Sequence, residues 1–246
     1  MSGSGLVEAL PWETEHFGFG VARLTRVPDD DELRAAHAWC REASIRCLTL
    51  LLPHAVVDRL TVLQERGFRV VDLRTTLDVS LEPAAEVTPE SVAVSAGDEV
   101  AEDLRAIARE RFTLARFFAD PRFPPDRSAA LYEAWLDRAL RGEGDRWVLA
   151  DPAGRGFVAA RHAMGEPVGV IELVGVATAG AGAGLGRRLV QAAHRRFARE
   201  GATGAEIVTQ GANVPAMRTY EACGYRVSDA AFWLHSWPGA DPAPAL

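Results

Sequence analysis

Four glycines at alternate positions, Gly180, Gly182, Gly184 and Gly186, run directly into Arg187 and Arg188. Glycine tolerates positive φ and brings bare backbone close to a ligand, and successive free N–H groups in such a turn form a cradle for an anion. The two arginines then fall where a helix would begin. Cations are disfavoured in a first helical turn and Asp or Glu is usual, a penalty that a bound polyanion reverses. The competing reading is a glycine-rich turn with two solvated arginines. A second set of residues lies upstream, where Arg111, Arg116 and Arg122 alternate with Phe112, Phe117, Phe118 and Phe123. Guanidinium groups hold phosphates bidentately and aromatic rings stack on bases. This stretch reads either as a recognition loop for a nucleoside diphosphate, with Arg111, Arg116, Phe117 and Phe123 as substrate contacts, or as an amphipathic loop whose rings close a core.

The elements that must position the glycines flank them. Val170–Val176 is an apolar, β-branched run of strand length, and Leu185, Leu189, Ala193 and Phe197 recur every fourth residue on one helix face. Strand, glycine turn and helix together present backbone amides and a positive dipole end to an anion. A nucleotide P-loop requires Lys-Ser/Thr after the last glycine, and the chain contains no lysine. The dinucleotide fingerprint requires a wider glycine spacing. Strict alternation places Glu172 on the same strand face as Val174 and Val176. Its carboxylate then serves either as a general base towards an amine or as a solvated strand charge. His162, at the end of a hairpin strand, is a second and weaker base candidate.

Around these pieces the periodicity gives an α/β chain. Residues 1–80 alternate strand and helix, 81–91 (LEPAAEVTPES) read as a linker, 92–237 form a second unit, and 238–246 a frayed tail. A helix, Gly-aromatic, strand sequence occurs twice, at Gly67-Phe68 and at Gly224-Tyr225, and suggests a degenerate half-repeat. The final strands read as a pair, Tyr225–Val227 and Ala231–Trp237.

At 246 residues, with 48% hydrophobic and 25% charged residues, the chain can bury a full core. A net charge of −7 argues against nucleic acid as the partner. Cys40, Cys47 and Cys223 are odd in number and lack metal-ligand spacing, which points to reduced thiols and no metal. No apolar run approaches the roughly 20 residues of a membrane span, and no signal region opens the chain. The expectation is a cytoplasmic protein with no membrane partner.

The segment Ala179, Gly180, Ala181, Gly182, Ala183, Gly184 resembles the acyl-CoA pyrophosphate loop of the GNAT N-acyltransferases, written Gln/Arg-x-x-Gly-x-Gly/Ala. Ala179 stands where the family has Gln or Arg. Asn213, Ala216, Tyr220, Gly224 and Tyr225 resemble a second GNAT motif downstream. The resemblance implies a GNAT fold, a central mixed twisted sheet with flanking helices, preceded by a partial GNAT-like half-domain. It implies acetyl-CoA or another acyl-CoA as co-substrate. Backbone groups of Val174 and Val176 would hold its pantetheine arm. The turn through Gly184, with Leu185, Gly186 and Arg187, would hold its diphosphate, with Asn213 nearby and Tyr220 as general acid. The stretches Pro11–Leu24, Ala115–Pro124, VTQGANVPAMRTY and AFWLHSW are similar to bacterial TDP-4-amino-4,6-dideoxy-sugar N-acetyltransferases. The acceptor is then the amine of a nucleotide-linked amino sugar. A different amine with a larger or carrier-borne acyl group, a silent acyl-CoA-binding module and a homodimer all stay open.

Overall fold

The structure is a computed structural model and describes residues 5–82, 93–94, 98–180 and 182–238. Ala181, linker residues 83–91 and the tail from 239 onward lie outside the described residues. The elements in chain order are β1 (Val7–Ala9), α1 (Pro11–Phe17), β2 (Gly20–Leu24), α2 (Asp30–Glu42), β3 (Ile45–Pro53), α3 (Leu60–Glu65) and β4 (Arg69–Ser80). They continue with β5 (Ala93–Val94), α4 (Asp98–Arg111), α5 (Arg116–Ala119), α6 (Pro125–Leu140), β6 (Arg146–Ala150) and β7 (Gly156–Arg161). Last come β8 (Val168–Val176), α7 (Leu185–Arg199), β9 (Gly204–Gln210), α8 (Val214–Glu221) and β10 (Arg226–Ser236). Short 3₁₀ turns precede α3 and follow β8.

Two compact units result. The first is Met1–Arg74, Arg116–Arg127 and Ala230–Leu246; the second is Thr75–Ala115 and Ser128–Asp229. Within the first unit β1 pairs antiparallel with β2, β2 parallel with β3, and β3 antiparallel with β10. Leu33, Ala36 and Cys40 of α2 pack on Leu48, Leu50 and Leu52 of β3, with Leu63, Phe68 and Leu234 closing the layer. The first turn of α2 is satisfied from within: Asp29 accepts from the Glu32 amide, and the Glu32 carboxylate accepts from the Asp29 amide.

In the second unit β6, β7 and β8 form an antiparallel meander, and β9 continues it parallel to β8. Helix α7 lays Leu185, Leu189, Val190, Ala193 and Phe197 against Val158, Ile171 and Ile207. Each buried Leu, Val, Ile or Phe side chain among these contributes about 2 kcal/mol. Phe197 lies so close over Gly169 that a Cβ there would meet its ring at 2.3 Å.

The register between β7 and β8 slips once. Ala159 faces Leu173 and Ala160 faces Ile171, so Glu172 is the extra residue of a β-bulge. The bulge inverts the alternation. Gly169 and Ile171 face α7 before it, and Val174 and Val176 pack on the same core after it. Gly175 instead faces Ile107 of α4. The expectation that Glu172 shares a face with Val174 and Val176 is therefore corrected. Two smaller differences are that the final strand is one continuous β10, and that Arg116–Ala119, within the stretch read as a loop, is helical.

Candidate active site

The ladder between β8 and β9 runs from Val168 opposite Gly204 to Ile171 opposite Ile207 and stops there. β8 continues to Val176 and β9 to Gln210. The bulge at Glu172, in the pairing of β8 with β7, sits where the β8–β9 ladder ends, and a bulge bends its strand. Beyond it the β8 edge that would face β9 offers main-chain N–H and C=O groups to an added extended chain.

At the end of that edge the backbone turns. Thr178–Gly180 forms one 3₁₀ turn, in which the Gly180 amide donates to Ala177 O at 2.9 Å. Gly182 and Gly184 take φ of +79° and +73°, and Gly184 is the N-cap of α7. No side chain caps the helix and no acidic residue lies in its first turn. The amides of Leu185, Gly186 and Arg187 therefore lie at a positive dipole end with no side chain to meet them. Arg188 folds back to donate to Ala183 O at 2.9 Å, pinning the turn. Arg187 and Ala179 are exposed, and Gly180 is buried.

Helix α8 follows β9. Its N-cap is Asn213, whose Oδ1 accepts from the Ala216 amide at 3.3 Å, with Pro215 in the first turn where a missing N–H is harmless. Tyr220 is buried in the core that also holds Leu185 and Leu189 and on which Val174 and Val176 pack. Its hydroxyl has no hydrogen-bond partner among the described residues. Burial raises its pKa above the ordinary phenol value, so it is a neutral O–H donor. An open strand edge, an uncapped helix start and a protonated phenol are thus held by one core.

Residues 102–225 match the Acetyltransferase (GNAT) family. The chain belongs to that family. It is an N-acetyltransferase, and the GNAT family uses acetyl-CoA. It is 30% identical over 239 residues to the dTDP-fucosamine acetyltransferase of Escherichia coli O6:H1, covering 93% of this chain and 97% of that one. It is 23% identical over 135 residues to the spore coat polysaccharide biosynthesis protein SpsD of Bacillus subtilis (strain 168), covering 55% and 47% of the two chains. Among solved structures, a GCN5-related N-acetyltransferase from Sphaerobacter thermophilus superposes with a TM-score of 0.62 at 14% identity, covering 96% of this chain and 78% of that one.

Within this GNAT chain the other sequence-derived residues are placed differently. Glu172 is held by a bidentate pair with Arg146, at 2.8 and 3.0 Å, and by Arg161 at 3.3 Å. Its oxygens are engaged by two guanidinium groups. His162 is tied to Glu200 through Nδ1 at 3.1 Å and to Glu166 O through Nε2 at 2.9 Å, a packing role.

The arginine and phenylalanine stretch divides between the units. Arg111 ends α4 in the second unit, exposed, with its guanidinium donating to Thr178 Oγ1 at 3.4 Å. Arg116, Phe117 and Phe123 belong to the first unit, where Phe117 and Phe123 are fully buried against Phe17. Arg116 lies 4.5 Å from the Phe117 ring centre and 3.7 Å from that of Trp233. Within the first unit these rings close a core.

One polar group escaped the sequence reading. Asp120 Oδ2 accepts from His235 Nδ1 and from Trp237 Nε1, both at 2.9 Å, inside the same aromatic cluster. Burial pushes Asp120 upward, but those two donors hold it below the ordinary carboxylate range. Burial lowers His235 against the pull of Asp120. The partners lie over a hundred residues apart, and no local spacing joins them. Among the described residues no group of three or more His, Cys, Asp or Glu side chains is arranged to hold a metal ion.

Proposed function

We propose that this chain acetylates the amine of a nucleotide-linked amino sugar by direct attack on acetyl-CoA, with Tyr220 as general acid. The observation that carries the reading is the identity of 30% across 97% of a relative named for dTDP-fucosamine. In this reading the main chain of Val174 and Val176 binds the pantetheine arm as an added strand. The turn Ala179, Gly180, Gly182, Ala183 and Gly184 and the first amides of α7 bind the diphosphate, with Arg187 alongside. Asn213 keeps α8 in place through its cap. Arg111, exposed beside Thr178, is available to a substrate phosphate.

Acetyl-CoA supplies an activated acyl carbon; the chain supplies orientation and one hydrogen-bond donor, and the proton shed by the attacking amine balances the one that the leaving thiolate takes up. A free thiol has a pKa of about 8.5 and a phenol about 10, so complete proton transfer from tyrosine opposes the reaction by about 2 kcal/mol. Burial raises Tyr220 further, which increases that opposition. Tyr220 therefore acts by donating a hydrogen bond to the sulfur as charge builds on it. No carboxylate is assigned as base, because Glu172 is committed to Arg146 and Arg161.

A second reading has its own support. Ala179 lacks the side chain that the family motif places at the first position of the phosphate loop, which favours a different amine with a larger or carrier-borne acyl donor. The test is thiol release and product mass with acetyl-CoA, longer acyl-CoAs and an acyl carrier protein against TDP- and UDP-amino sugars and simple amines. Acetylation of a TDP-4-amino-4,6-dideoxy sugar is the expected result. Turnover only with another donor or amine selects the second reading. Thermal stabilisation by acetyl-CoA without transfer to any amine selects a binding module.

A further inference from the structure

The way α8 ends ties Tyr220 to α7. Gly224 takes φ +94°, its amide donates to Glu221 O at 3.0 Å, and the Tyr225 amide donates to Tyr220 O at 3.1 Å. These are the paired bonds of a Schellman cap, in which the residue after the glycine also packs on the residue whose carbonyl it bonds. Accordingly the rings of Tyr225 and Tyr220 meet edge to face, centroids 6.1 Å apart. Tyr225 is completely buried, so its hydroxyl requires a partner inside the protein. It lies 2.9 Å from Nε2 of His194, on the core-facing side of α7. Burial holds His194 down at about 4, which leaves the imidazole neutral and Nε2 able to accept the phenolic proton. A phenylalanine would fill the same space and need no acceptor, so packing alone does not require the pair.

We propose that His194 is a positioning residue for Tyr220, acting through Tyr225. The proposal rests on the reading of Tyr220 as general acid. With its hydroxyl anchored to α7, Tyr225 fixes the last turn of α8 by its amide and the Tyr220 ring by its own. Among the described residues no protein group partners the Tyr220 hydroxyl to fix it otherwise.

The test compares His194→Leu, His194→Gln, Tyr225→Phe and the double variant His194→Leu/Tyr225→Phe. One readout is kcat and acetyl-CoA KM on the amine that the wild-type protein acetylates, dTDP-fucosamine first. The other is the ring signal of Tyr220 in ¹³C-tyrosine-labelled protein, readily assigned because the chain has 3 tyrosines. His194→Leu lowers kcat about tenfold through misorientation, leaves acetyl-CoA KM within about twofold, and moves the Tyr220 signal. His194→Gln, which keeps an acceptor, recovers most of the loss. In the Tyr225→Phe background His194→Leu adds nothing further. An unchanged kcat and Tyr220 signal in His194→Leu, or a full His194→Leu effect without the Tyr225 hydroxyl, overturns the proposal. If Tyr220→Phe is itself at wild-type speed, it is the acid assignment that fails. If Tyr220→Phe is slow and His194→Leu is not, only the positioning role fails.

Discussion

In the first unit the chain runs β2, α2, β3, α3 and closes α3 on Gly67 and Phe68; in the second it runs β8, α7, β9, α8 and closes α8 on Gly224 and Tyr225. Both strand pairs are parallel. Both closures use the same cap: Phe68 N–H bonds Leu63 O at 3.0 Å, as Tyr225 N–H bonds Tyr220 O at 3.1 Å. His37 of α2 stacks on Phe68 at 5.8 Å, much as His194 of α7 meets Tyr225 at 5.2 Å. The two runs part at the details that matter to a ligand. β2 pairs with β3 as far as Arg23 opposite Thr49, whereas β8 leaves β9 at Ile171. Helix α2 starts with its own capping box and an acidic first turn; α7 starts with a left-handed glycine and two arginines. Leu63 occupies the position that Tyr220 holds. A strand, turn and helix therefore do not by themselves make an anion site. On the proposed reading, what makes one is the set of amides and strand edges that the sequence leaves unsatisfied.

The sharpest way to break the comparison is to make α8 like α3. Tyr220→Phe keeps the ring and the cap while removing the proton. It should lower kcat about 100-fold with little change in thermal midpoint. Because burial keeps the phenol protonated, wild-type kcat should show no downturn from this group below pH about 10. Stopped turnover assays and a melting curve together check both. Wild-type turnover in Tyr220→Phe would remove the distinction between the two caps.

Making α7 like α2 comes next. Arg187→Glu places an acid in the first turn, which suits the empty helix dipole and opposes a diphosphate. Acetyl-CoA KM should rise about tenfold, a change of 1.4 kcal/mol, with kcat near wild type. Affinity by calorimetry should follow KM. A KM that stays put would mean the diphosphate is held elsewhere.

Glu172→Gln tests the bulge, which in β8 coincides with the end of the ladder. Removing one charge leaves Arg146 and Arg161 facing each other and should cost about 1–2 kcal/mol of stability in a denaturant titration. The kcat should fall only a few-fold. A collapse beyond 100-fold, with loss of the acid limb of the pH profile, would make Glu172 the base after all.

Much of this was legible before the structure. The strand, turn and helix at 168–199 follow from periods of two and 3.6 and from glycine chemistry, and Asn213 with Pro215 announces α8. What escaped has a common cause in long-range geometry. Period-two alternation placed Glu172 wrongly because a bulge inserts a residue without any signature in the strand itself. Tyr225–Val227 and Ala231–Trp237 read as two strands, yet β10 runs from Arg226 to Ser236 without a break, with Ser228 Oγ donating to Thr76 O at 3.4 Å. Phe117 and Phe123 could equally face a base or a core, and contact with Phe17, a hundred residues earlier, decides for the core. The doubled Gly-aromatic cap was visible, but the hydroxyl-to-imidazole bond that separates Tyr225 from Phe68 depends on a histidine 31 residues away.

Asp29→Ala gives the smallest expected effect and isolates the first unit. It deletes the oxygen that accepts from the Glu32 amide at 2.9 Å, and with it half of the capping box. Loss of such a cap costs about 1 kcal/mol, measurable as a shift in denaturant midpoint. The variant also leaves the start of α2 with uncapped amides, as in α7. Glu32 still lies there, held by Arg26 and lowered to about 2 chiefly by that hydrogen bond, so it remains ionised across the working range. Its charge continues to repel a phosphate. Acetyl-CoA should therefore bind Asp29→Ala with wild-type stoichiometry and affinity. A second equivalent bound in calorimetry would show that an empty helix start alone suffices, and that the open edge of β8 contributes nothing to the choice between the two runs.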